Sequence, residues 1–183
     1  YPSNLHLASH SVPLIARTPD GKASGETPLY VSNMDVYSTI LDYAGGAPDP
    51  DLPSRSFASL LRGQDAPDWG EDAVYSEQEE TRVIRTPGWA YFKRFSHDGA
   101  PDLPDELFNT ADDPGETVNL ANDPTRAAIA ADLSARIDAY FERHVRTEAD
   151  LWAGGQPIQN SMMSAYWRDI WGEDWAPVYR YGA

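Results

Sequence analysis

The sequence predicts the edge of an α/β layer followed by an α+β subdomain, and three observations carry that reading. Residues 12–17 (VPLIAR) form a short apolar run that ends at Thr18-Pro19-Asp20-Gly21, the pattern of a buried strand closed by a turn. Ser32 is then placed as an N-cap with Asp35 three residues on, and Val36, Ile40 and Ala44 recur at helical spacing before Gly45-Gly46. A strand feeding directly into an amphipathic helix is an α/β unit, here the edge of a larger layered sheet. Further on, β-prone runs at 73–76, 81–85 and 89–95 are separated by charged or Pro-Gly turns, which predicts an antiparallel meander.

The remaining elements follow in order. Residues 45–53 carry Pro48, Pro50 and Pro53 among Gly and Asp and read as a loop, after which Phe57, Leu60 and Leu61 suggest one helical turn stopped by Gly63. A subdomain boundary is expected near residues 65–70. Asp123 caps a helix with Pro124 at its first position, and Ile129, Leu133, Ile137 and Phe141 repeat every fourth residue along about 30 Å of helix. Arg143, His144 and Arg146 suit its negative end. Such a helix after several strands is expected to lie across them. The Trp/Tyr-rich tail, with Trp152, Trp167, Trp171 and Trp175, has no strong period; it is expected to cover a partner surface, in cis or across a homo-oligomer. The expected division is therefore 1–64, 65–146 and 147–183.

Composition narrows the functional classes. With 183 residues, 41% apolar and 11% aromatic, the chain can bury roughly 70% of its unfolded surface and is expected to fold. A formal charge of -15, without any Lys/Arg cluster, repels phosphate backbones, so no nucleic-acid partner is expected. The absence of cysteine excludes disulfides, Cys-ligated zinc and a thiol nucleophile within these residues, while leaving the compartment open. No apolar run reaches the ~18 to 20 residues that span a bilayer, and no membrane partner is expected. The chain starts at Tyr1 close to an apolar run, which suggests a processed chain or a fragment.

Four segments carry a family resemblance when read in order: Ser11-Val12-Pro13-Leu14-Ile15-Ala16-Arg17; the stretch 31–45 (VSNMDVYSTILDYAG); 55–63 (RSFASLLRG); and Glu106-Leu107-Phe108-Asn109 with Asp113-Pro114-Gly115-Glu116 and Asn119-Leu120-Ala121. Together they resemble the C-terminal third of the formylglycine sulfatases of the alkaline phosphatase superfamily, over roughly residues 11 to 145. The resemblance implies an alkaline-phosphatase-like fold, of which this chain supplies the final strand-helix unit and a C-terminal α+β subdomain. It implies a sulfuric ester hydrolase in which a hydrated formylglycine attacks sulfur while calcium and basic side chains stabilise the sulfuryl oxygens.

The family's nucleophile motif and its metal-binding carboxylates belong upstream, so calcium and formylglycine are both expected outside this chain. The sulfate-contacting lysine of the family has no counterpart among these residues: its place falls at Pro2 or, with a shift of one or two residues, just before Tyr1. Asp51-Leu52-Pro53-Ser54-Arg55 imitates the nucleophile motif but has Asp where the nucleophile would stand, and Asp112-Asp113 reads as structural. The implied partners are a sulfate-ester substrate and the N-terminal part of the enzyme, and the resemblance favours a periplasmic or secreted location. Two alternatives stay open: a phosphonate or phosphodiester hydrolase on the same scaffold, and a non-catalytic interaction module.

No residue of this chain is expected to be catalytic or to bind metal. The candidates for substrate contact are His6 and His10, just before the VPLI run, because an imidazole can donate to a sulfate oxygen or a sugar hydroxyl. The competing reading makes them loop histidines satisfied by the backbone. His97, in Ser96-His97-Asp98-Gly99, is a third candidate, on a loop tip that could overhang the site. Tyr75, Glu77 and Arg82 read as cross-strand pairs. Asp113-Pro114-Gly115-Glu116 reads as a turn with its carboxylates facing water, and Asn119 as a partner for nearby backbone.

Overall fold

The computed structural model describes residues 5–21, 23–65, 69, 72–78, 81–95, 103–145, 172 and 174. The expected meander forms as β1 Val74–Gln78, β2 Thr81–Thr86 and β3 Trp89–Arg94, all antiparallel. A fourth strand, β4 Glu106–Asn109, completes a sheet of order β1-β2-β3-β4. The sequence shows Glu106-Leu107-Phe108-Asn109 only as a motif, because four residues are too few to display alternation. In the fold Leu107 and Phe108 are buried on opposite faces.

The two faces have different covers. Asp123 accepts from Thr125 N–H at 2.9 Å and starts a 3-10 turn, Pro124–Arg126, that continues into helix α4, Ala127–His144. Leu133, Ile137 and Phe141 of α4 bury themselves against Ala73, Ile84, Tyr91 and Leu107, with Ile129 and Tyr140 packed at the margin. The fourfold repeat thus faces the sheet as expected. The opposite face carries Val83, Ala90, Phe92 and Phe108, and Leu5 packs onto them. That face positions the site described below.

Ahead of the sheet lie α1 Leu7–His10, α2 Asn33–Tyr43 and α3 Ala58–Leu61. The capping box of α2 is present, with Ser32 and Asp35 bonding each other's backbone ends, and Gly45 closes the helix at φ +77°, a left-handed conformation that glycine adopts without a Cβ clash. Its buried side is polar, however. Asp35, Ser38 and Thr39 point inward, whereas Ile40 is 63% exposed.

These polar groups stitch α2 to the loop that follows. Ser38 Oγ bonds the Ser54 carbonyl at 3.3 Å, Thr39 Oγ1 accepts from Phe57 N–H at 3.0 Å, and Asp35 accepts from Arg55 N–H at 2.7 Å. The α2 apolar stripe therefore faces outward. Gly63 stops α3 at φ +70°.

Residues 12–17 depart from expectation: they form no strand, and Val12, Leu14 and Ile15 are exposed, Ile15 at 91%. A strand needs a ladder partner, and β1 to β4 pair only among themselves. Residues 147–183, the tail expected to cover a partner surface in cis or across a homo-oligomer, lie outside the described residues except Gly172 and Asp174.

Candidate functional site

The alternation of β2 sends Val83 and Arg85 to the face away from α4. On β3 and β4 the same face receives Phe92, Arg94, Glu106 and Phe108, as the pairings Arg85↔Ala90, Val83↔Phe92 and Phe92↔Glu106 require. Arg85 lies almost wholly buried there and needs a counter-charge. Glu116 supplies it, its carboxylate meeting both Nη atoms of Arg85, with side chains 4% and 1% exposed. Arg85 Nη2 also donates to the Leu5 carbonyl at 2.6 Å.

Glu116 is held in place by the turn before it. Asp113 accepts from Thr117 N–H at 2.8 Å and Val118 N–H at 2.9 Å, and these bonds lower the Asp113 pKa. Glu116 itself sits at φ +52°, a conformation costly for a residue with a side chain and sustained only where the surroundings demand it. The demand here comes from its four donors. Besides Arg85, Glu116 Oε2 accepts from His6 Nδ1 at 2.9 Å and from Leu7 N–H at 3.0 Å. Burial pushes the Glu116 carboxyl up, but these hydrogen bonds and the Arg85 charge outweigh it and hold the pKa below the ordinary glutamate value. The expectation that this turn keeps both carboxylates in water is thus corrected for Glu116: a buried arginine without another carboxylate at that distance draws it inward.

His6 is held on its inner side, with one edge left exposed. Its ring lies 4.9 Å from the Phe92 ring and 5.5 Å from that of Phe108, and its Nε2 is 3.7 Å from Glu106, which also pairs with Arg94 at 2.9 Å. His10 is less constrained. Its Nε2 shares a 2.9 Å hydrogen bond with Ser76 Oγ on β1, while its Nδ1 bonds no described residue. Burial first, and Arg85 second, lower the His10 pKa, against the pull of Glu116, so neutral imidazole is favoured. The structure therefore brings His6 and His10 onto one sheet face. His97 lies outside the described residues.

The other expected roles resolve as pairing. Glu77 and Arg82 face each other in register at 2.7 Å, with the Arg82 guanidinium 4.1 Å above the Phe141 ring, and Tyr75 stacks on Tyr140 at 3.9 Å. Asn119 Oδ1 accepts from Leu107 and Ala121 N–H at 3.0 and 2.9 Å, tying the segment after Glu116 to β4. Sequence reading missed Arg85 and Glu116 as partners. A signal was present: an arginine two residues from Val83 shares its inward face.

The family model described as N-sulphoglucosamine sulphohydrolase, C-terminal, matches residues 4–143. The chain belongs to this sulfatase family. Its sheet and helix are those of the C-terminal region in sulfatases of the alkaline phosphatase superfamily. Mouse arylsulfatase K is 28% identical over 95% of this chain and 34% of its own length. The delta 4,5-hexuronate-2-O-sulfatase of Bacteroides thetaiotaomicron is 30% identical over 60% of this chain and 23% of its own length. Among solved structures, the phosphonate monoester hydrolase of Silicibacter pomeroyi superposes with a TM-score of 0.51 at 25% identity, covering 64% of this chain and 26% of that one. This sulfatase-family chain thus spans about a third or less of the relatives it matches.

Proposed function

We propose that this chain is the C-terminal part of a sulfate ester hydrolase, completing the fold and contributing substrate contacts while the preceding polypeptide carries the chemistry. The family match over residues 4–143 carries the reading. Among the described residues no three His, Asp or Glu side chains stand together so as to hold a metal ion, and the chain has no cysteine. Calcium and formylglycine are assigned to the N-terminal part from the family resemblance. The outward apolar side of α2 and exposed Val12, Leu14 and Ile15 form the surface on which that part packs.

His10 is the proposed substrate contact within the described residues, because Ser76 orients its ring and leaves Nδ1 available. His6 is proposed to reach substrate only through its exposed edge, since its Nδ1 is committed to Glu116. His97 completes the proposed set. No helix among the described residues is long and apolar enough to cross a membrane; a periplasmic or secreted location is proposed from the family.

The test joins the chain to the polypeptide that precedes it in its gene. The product should hydrolyse a hexuronate 2-O-sulfate or an aryl sulfate in the presence of calcium, and His10→Ala should raise KM by about fivefold, the loss of one hydrogen bond. Hydrolysis by these 183 residues alone would sink the division of labour. The similarity to the phosphonate monoester hydrolase favours a second reading. Faster turnover of a phosphonate monoester than of any sulfate ester would establish it instead.

A further inference from the structure

Away from the His6 and His10 face, a cavity of about 380 Å³ opens where the start of α2, the loop around Arg55, the start of β1 and the end of α4 converge. Its walls include neither histidine nor their partners Glu116, Arg85 and Ser76. The acceptors lining it are already engaged: Asp35 takes the N–H groups of Ser32 and Arg55, at 2.8 and 2.7 Å, and stands 3.6 Å from the Arg55 guanidinium.

The donors are not. Trp69 is 6% exposed, and its buried Nε1–H has no partner. Arg143, exposed at the rim, pairs with no carboxylate among the described residues. His144 is hydrogen-bonded to the Asp51 backbone, and its Nδ1 is buried and unpartnered. A buried N–H without an acceptor is unfavourable, and a ligand acceptor in the cavity would satisfy the Trp69 indole, with the Arg143 cation at the rim and the bare His144 Nδ1 beside it. Part of the remaining wall is aromatic. Tyr75 and Tyr140 stack nearly parallel, 7° apart, and the Arg55 guanidinium holds the Trp69 ring from 4.2 Å.

We propose that this cavity binds a hydroxylated organic oxyanion of about monosaccharide size. Its carboxylate or sulfate oxygens accept from Trp69 Nε1 and Arg143, and a hydroxyl donates to His144 Nδ1. Because the cavity shares no residue with the proposed substrate contacts, the inference stands or falls independently of the hydrolytic activity.

Calorimetric titration of the full chain with glucuronate, using glucose as the neutral counterpart, tests it. Glucuronate should bind with a Kd on the order of millimolar while glucose does not. Trp69→Phe, which keeps the ring over Arg55 but removes the N–H, and Arg143→Gln should each weaken binding at least about tenfold, as expected for a hydrogen bond to a charged group. Absence of glucuronate binding, equal binding of glucose, or undiminished binding in Arg143→Gln would overturn the proposal. Arg143 is exposed, so that variant decides the matter even if Trp69→Phe unfolds.

Discussion

Arg85 and Glu116 meet with almost no water around them, so each is tolerable only because of the other. Removing one partner leaves an uncompensated charge, and Glu116→Gln should cost about 3–5 kcal/mol in a urea titration of the full chain. The pH dependence has a definite sign. The folded-state pKa of Glu116 is depressed, so its contribution is present above the unfolded value of about 4.3 and is lost as pH falls through the lower folded value. Wild type and Glu116→Gln should therefore converge in stability toward acid. His10 behaves differently, because its depressed pKa disfavours the cation in the folded state. Its penalty grows as pH falls through the unfolded value of about 6.5. Its imidazole resonances should titrate below that value in an NMR pH series; a midpoint above it would contradict the burial described for this ring.

Helix α2 was legible in the sequence as a helix and misleading as to its orientation. The capping box and closing glycine are local chemistry and form as written, but periodicity reports only that two stripes differ, not which of them the rest of this chain covers. Here Asp35, Ser38 and Thr39 each find backbone partners in the loop at 54–57, and those bonds decide the inward side. Ile40→Lys should accordingly change the stability of this chain by no more than about 0.5 kcal/mol. The same change should abolish co-purification with the N-terminal part, and a stable complex would exclude α2 from that contact. In α4 the opposite holds. Its apolar stripe does meet the sheet, so Ile137→Ala should destabilise by about 2–5 kcal/mol in thermal or urea unfolding.

Across the molecule, β1 to β3 and α4 were readable because their patterns are long enough to repeat. β4 and α1 were not, at four residues each. The strand expected at 12–17 carried the right composition but meets no ladder partner among the described residues. Of the site, His6 and His10 were visible as residue types, whereas the carboxylate that fixes His6 comes from 110 residues away and left no local trace. The charge of -15 acts on the whole chain, and adding about 0.5 M salt should raise Tm by roughly 2–4 °C, the equivalent of about 1 kcal/mol, by screening self-repulsion.

The alternation in β2 has one more consequence. Arg82 meets Glu77 and the Phe141 ring on one face, and Arg85 meets Glu116 on the other. Were β2 to slip by a single position against its neighbours, Arg82 and Arg85 would exchange faces, and each would lose the carboxylate it now meets. The two ion pairs thus add an electrostatic cost to a misaligned hairpin on top of the exchange of apolar faces.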